Sequence, residues 1–222
     1  MKYEVRYKPA FAAIFITLEP GESIIAEAGA MASMDGDVTM TTQLAGGILN
    51  AVIRAWLGGE SPFVNTFTNK TDSPQQVVFT QGVIGDIEGI ELKQGGAMCF
   101  QPGAYIASTP RVRLTVRWAG FNSWIAGEGL FKLQLEGRGM VFFGAYGGLT
   151  KKQVTNDFVV DNSHLVAYEP QLKMNIRFAK GIIGSLTSGE GLVNHIKGSG
   201  TIYMQSRSID GLVSFVRKRI RI

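Results

Sequence analysis

Cysteine and histidine are almost absent from this chain, and their scarcity removes whole classes of chemistry. Cys99 is the only cysteine, and His164 and His195 are the only histidines. Internal disulfides are therefore impossible, no Cys/His zinc cluster can be assembled, and a lone thiol suits a reducing compartment. Between Met98 and Phe100, Cys99 reads as a small buried thiol rather than a nucleophile. Long apolar runs are missing too, so no transmembrane helix is expected, and the start Met1-Lys2-Tyr3-Glu4-Val5 is a charged alternating strand without a signal-peptide core. The chain has no Gly-x-Ser-x-Gly elbow, phosphate loop or dinucleotide fingerprint. Lacking a catalytic constellation, it is expected to be a protein that is not an enzyme and has no cofactor and no metal.

Charge of one sign is lacking from the body. The net charge of +4 comes from 22 basic against 18 acidic residues, and Arg217, Lys218, Arg219 and Arg221 at the C-terminal end account for all of it. A balanced body does not attract nucleic acid from a distance, so an anionic partner needs a local patch and nucleic acid is disfavoured.

Glycine is plentiful: 28 of 222 residues, well above the average of about 7%, as suits an all-β chain with many tight turns. The stretch Ala126-Gly127-Glu128-Gly129-Leu130-Phe131 recurs as Gly58-Gly59-Glu60-Ser61-Pro62-Phe63 and Ser188-Gly189-Glu190-Gly191-Leu192-Val193. Upstream of each copy stands a turn, Asp35-Gly36, Thr109-Pro110 or Glu169-Pro170, followed by an alternating strand pattern. Downstream, Gly137-Arg138-Gly139 matches Gly198-Ser199-Gly200. Landmarks in the same order imply three tandem β units, 1–81, 82–143 and 144–206, followed by a basic amphipathic helix over 207–222. A unit of this length alone buries only about 60% of its extended-chain surface, so the units are expected to cover one another.

The strands expected in unit one are Lys2 to Tyr7, Ala13 to Leu18, Ser23 to Ala26, Phe63 to Thr68 and Gln76 to Thr80, with a two-residue hairpin at Asp35-Gly36. Unit two supplies Ile90 to Leu92, Ala97 to Gln101, Ala104 to Ser108, Phe131 to Glu136 and Met140 to Phe143. Unit three supplies Lys152 to Thr155, Phe158 to Val160, His164 to Tyr168, Val193 to Lys197 and Thr201 to Gln205. Leu44, Ile48, Leu49, Val52, Ile53, Trp56 and Leu57 follow helical spacing instead. Ile209, Leu212, Val213, Val216 and Ile220 do so again at the end, which reads either as a helix docked on the body or as a basic amphipathic segment on a membrane or anionic partner.

The run Arg54 to Phe67 and the closing stretch Ser188 to Ser206, with Gly198-Ser199-Gly200-Thr201-Ile202-Tyr203, resemble the family named for altered inheritance of mitochondria, number twenty-four. Pro62 stands where that family usually has leucine. The resemblance implies an all-β fold of three tandem antiparallel sandwich- or barrel-like units about a pseudo-threefold axis, similar to the tryptophan RNA-binding attenuation protein subunit. Eukaryotic members are associated with mitochondrial biogenesis and inner-membrane organisation, prokaryotic ones are largely uncharacterised, and no catalytic residue carries over.

Several residue sets remain as candidates. His164, aligned with Met31 and Tyr105, and His195, aligned with Asn65 and Leu133, read as structural or surface histidines. Glu60, Glu128 and Glu190 read as turn carboxylates answering backbone N–H groups, with a shared cation site as the sharper alternative. Arg111, Arg113, Arg117, Lys173 and Arg177 form a period-2 basic stripe, either a solvated face with cross-strand ion pairs or a surface for an anion or acidic partner. Leu44, Ile48, Val52 and Trp56, with the cationic tail, form a candidate membrane or partner contact. The leading expectation is a self-associating scaffold or interaction module, a homo-oligomer in the cytoplasm that meets a protein partner or the membrane periphery. A binder of small molecules or anions between units and an enzyme with an unfamiliar site are the alternatives.

Overall fold

Alternation of apolar and polar residues becomes alternation of inward and outward side chains in β2, Ala13–Leu18, where Ile14, Ile16 and Leu18 are fully buried. The computed structural model describes residues 1–44, 63–118, 131–178 and 192–220. Around β2 lie β1 (Lys2–Arg6), β3 (Ser23–Glu27), β4 (Met31–Met34), β5 (Val38–Leu44), β6 (Phe63–Asn69) and β7 (Gln75–Phe79). Next come β8 (Ile87–Phe100), β9 (Tyr105–Ser108), β10 (Val112–Trp118) and β11 (Phe131–Gly144). The last strands are β12 (Leu149–Val154), β13 (Asp157–Asp161), β14 (Leu165–Tyr168), β15 (Lys173–Phe178), β16 (Leu192–Lys197) and β17 (Gly200–Gln205), followed by α1 (Ile209–Arg217). The all-β expectation holds, with α1 as the α-helix among the described residues.

Among the described residues the named strands pair antiparallel and follow a recurring order. In residues 13–79, β2–β7–β4 form one run and β3–β6–β5 another. In residues 87–144 the N-terminal half of β8, the C-terminal half of β11 and β9 form the first kind of run, and the other halves with β10 form the second. In residues 149–205 the runs are β12–β17–β14 and β13–β16–β15. Two junctions join successive segments: β3 pairs with β9 through Ile25↔Ser108 and Ala26↔Ala107, and β8 pairs with β14 through Cys99↔Tyr168 and Phe100↔Ala167.

The cores follow the junctions. The cluster around Ile14, Ile16, Phe67 and Phe79 also takes Ile87, Ile106, Ala107 and Phe142, and the cluster around Phe100, Leu135 and Phe143 takes Val166, Ala167 and Tyr203. Cys99, buried as expected, belongs to the cluster of Val154, Leu165, Ile196 and Ile202.

Several sequence expectations are corrected. Asp35-Gly36 does not close a hairpin: β4 pairs with β7 and β5 with β6. A two-residue hairpin of the expected type needs positive φ, and neither Asp35 nor Gly36 has it. The turn instead carries the chain between strands that are not neighbours, closed by Val38 N–H donating to Asp35 O at 3.1 Å and tied to β7 by Gln76 N–H donating to Asp35 Oδ2 at 2.7 Å. Thr109 and Glu169 make the same closure, accepting from Val112 N–H at 3.0 Å and Leu172 N–H at 3.1 Å. The separate strands read at 90–92 and 97–101 are one strand, β8, and those at 131–136 and 140–143 are one strand, β11. Gly95 (φ 77°), Gly137 (φ 130°) and Gly139 (φ 141°) absorb the irregularity between their halves. Leu44 ends β5 rather than starting a helix, and the remainder of the helical pattern lies outside the described residues. His164 and His195 each sit one register position away from the alignment read in sequence. Leu165, not His164, pairs as Tyr105 and Met31 do, and His195 stands level with Thr66 and Gln134.

Two residues fix where these segments meet. Gly85 accepts from Ala12 N–H through its carbonyl at 3.0 Å, and a Cβ there would overlap the Ala145 carbonyl oxygen. Gly85→Ala is expected to destabilise the fold by about 2 kcal/mol or more, measured by denaturant unfolding. Tyr105, fully enclosed, donates its hydroxyl hydrogen to Ile25 O at 3.2 Å across the β3–β9 junction and lies 3.0 Å from Ser108 Oγ. Burial raises its pKa far above that of a free phenol, so it stays neutral at any physiological pH. Tyr105→Phe is expected to cost about 1 kcal/mol, seen as an earlier unfolding midpoint at unchanged m-value.

Candidate functional site: a cavity at the meeting of turns and an uncovered helix

The turns that follow β3 and β8, at Ala28-Gly29 and Pro102-Gly103, come together with Val166 at the start of β14 around a cavity of about 370 Å³. That volume suits a small molecule rather than a macromolecule. Gln81, just past β7, donates through Nε2 to Ala145 O at 3.1 Å, while its Oε1 is buried without a partner. Gln205, at the end of β17, accepts from Tyr146 N–H at 2.9 Å and donates to Ser163 O at 2.8 Å. His164 Nδ1 lies 2.7 Å from Gln205 O and must carry the proton to bond it, since a carbonyl only accepts. This histidine therefore braces the cavity wall. Glu27 is the charged residue of the lining, and neither lysine nor arginine contributes to it. Sequence reading did not single out Gln81 or Gln205, because a glutamine beyond the end of a strand has no pattern of its own.

The basic stripe is not one surface. Arg111 lies in the turn before β10, and Arg113 is exposed on β10 with Glu136 as its cross-strand neighbour. Lys173 is exposed on β15, in a different sheet, opposite Lys197, which pairs with Asp157 at 3.7 Å. Arg117 and Arg177 occupy strand positions opposite Lys132 and Val193. None of the five lines the cavity. His195 lies half-buried on β16, between Val159 and Asn175. Glu60, Glu128, Glu190, Ile48, Val52, Trp56 and Arg221 lie outside the described residues. Among the described residues no group of three or more His, Cys, Asp or Glu could hold a metal ion.

The cavity rim includes Ile209, the first residue of α1. Ser208 caps this helix by accepting from Gly211 N–H at 3.0 Å, while Asp210 in the first turn and Arg217 in the last complement its dipole. The sequence pattern is amphipathic, yet α1 buries no residue: Ile209, Leu212, Val213, Phe215 and Val216 are 38–54% exposed, and Ile220 beyond the helix is 55% exposed. The docked reading of this helix is therefore corrected, because none of its side chains is buried against the body. Arg217, Lys218 and Arg219 follow at its C-terminal end, all exposed, and the Arg219 guanidinium stacks 3.6 Å over the Phe215 ring. No helix among the described residues is long and apolar enough to cross a membrane.

Comparison with known proteins gives a consistent result. A family model described as Mitochondrial biogenesis AIM24 matches residues 3–207. An uncharacterized protein of Streptococcus pyogenes serotype M6 is 25% identical over 229 residues, covering 98% of this chain and 90% of its own. The X-ray crystal structure of another Streptococcus pyogenes protein is similar with a TM-score of 0.79 and 26% identity over 99% of both chains.

Proposed function

The chain belongs to the AIM24 family, and we propose that it is a non-enzymatic interaction module that rests on an anionic membrane surface through α1. The observation that carries this reading is the exposure of α1, whose five large apolar residues are 38–54% exposed directly beside three cations, with Ile220 just past its end. An isolated apolar side chain at a surface is unremarkable, whereas a row of them on one short helix leaves a surface to be covered. Charge selects the covering partner. The tail holds the whole net charge of the chain, so two tails brought together repel, while anionic lipid attracts each basic residue by about 1 kcal/mol. A helix of nine residues supports reversible attachment rather than permanent insertion.

The body would be the rigid part of this module. The same reading takes residues 1–81, 82–143 and 144–206 as copies of one unit. It is supported by the recurring order of strand pairing and by the turns of successive segments that meet at the cavity. A second reading, a small-molecule binder, is favoured by the orphaned Gln81 Oε1. That atom is an acceptor and the lining has no cation, so the fitting ligand is a neutral or cationic hydrogen-bond donor and not an anion. Native mass spectrometry of the purified chain would show it as a retained added mass; a cavity holding only water shows none.

Co-sedimentation with vesicles tests the membrane reading. The full chain is expected to pellet with phosphatidylserine-containing vesicles and not with pure phosphatidylcholine, and to be released by high salt. Lys218→Glu is expected to weaken binding at least five-fold, following about 1 kcal/mol per cation, and Leu212→Glu about ten-fold, with thermal unfolding unchanged because neither side chain is buried. Equal binding to both vesicle types, or none to either, would sink the reading.

A further inference from the structure

The two junctions between segments leave one pair of strand edges over. At each junction the second strand of a segment meets the short third strand of the next: β3 meets β9, and β8 meets β14. Under the same rule β13 lacks a following third strand, and β4 lacks a preceding second strand. Among the described residues β13 pairs only with β16 and β4 only with β7. Burial shows the difference. Every residue of β9 and β14 is buried, whereas no residue of β4 is, and Ala32 and Ser33 are exposed. On the other side, Val159 of β13 is 50% exposed, while Cys99, its counterpart by register, is 6% exposed.

We propose that the free edge of β13 in one copy of this chain pairs antiparallel with the free edge of β4 in a second copy, giving head-to-tail assembly. The chain displays the fit of these edges in its own interior. Ser33 and Met34 pair with β7 as Ala107 and Ser108 pair with β11 and as Ala167 and Tyr168 pair with β17. Transferring the register of the internal junctions places Met34 opposite Val159 and Ser33 opposite Val160. The new contact brings Met34, partly buried, against Val159, which is 50% exposed. Neither edge carries a proline or a lysine, residues that commonly block strand addition. Because the two surfaces differ, the contact is heterologous: each copy added exposes the same pair of edges again, and assembly continues until a ring closes. The proposal does not depend on α1 or on the membrane reading.

The test uses full-length chains carrying Cys99→Ala so that no native thiol interferes. One preparation carries Met34→Cys and another Val159→Cys, and directly opposed residues come close enough for a disulfide or a short thiol cross-linker. Mixing the two is expected to give a covalent dimer at least five-fold more abundant than either preparation alone. Sedimentation of the unaltered chain should show an average mass that rises with concentration above 24.1 kDa, and Val159→Lys should return it to the monomer. A chain carrying both cysteines that links only within itself at every dilution, with no dimer from the mixture, would place the pairing inside one copy and overturn the proposal. Monomeric mass at all concentrations would overturn it as well.

Discussion

Backbone pairing across the junctions is the constraint on which the rest of the molecule depends. A short strand such as β9 or β14 cannot hold its N–H and C=O groups apart from water unless both edges are bonded, and each has one partner in its own segment and one in the preceding segment. Every residue of both strands is consequently buried. The apolar clusters are continuous across the same places, so Phe142 and Ile106 complete a core built mainly from residues 12–79. Segments of this size are marginal alone, and the shared junctions supply what each lacks.

The turns obey that requirement rather than local hairpin geometry. The chain leaves β4, β9 and β14 through turns at Asp35, Thr109 and Glu169 whose closure is alike in all three cases. Each turn feeds a strand that pairs elsewhere. Gly85 allows the approach of Ala145 that any larger residue would prevent. A backbone kept this close leaves room for few side chains where the turns meet, and the cavity there is lined largely by small residues with Gln81 and Gln205 as its polar walls. Among the described residues, what the packed strands leave over includes a small cavity, the outer edges of β4 and β13, and α1.

Membership of the AIM24 family and the likeness to the Streptococcus pyogenes structure account for the architecture. They do not assign chemistry, and fold alone never does. What distinguishes the surface of this chain is physical. An apolar helix flank lies in water beside Arg217, Lys218 and Arg219, on a body whose remaining charges cancel.

Period-2 alternation, glycine content and turn dipeptides were sufficient by themselves to determine an all-β chain and most strand positions within a residue or two, while apolar neighbours determined the buried thiol of Cys99 and helical spacing the amphipathic C-terminal helix. These are local properties: a strand's inward face and a turn's steric preferences are written in neighbouring residues. Tertiary structure alone decided that Asp35-Gly36 joins strands of different runs, that β8 and β11 are continuous, and that His195 stands level with Gln134 rather than Leu133. It also decided that the basic stripe divides between two sheets and that no residue of α1 is buried. Pairing partners and burial depend on residues far away in the chain. Alternation states which side of a strand is oily; only the assembled sheets state what, if anything, lies against it.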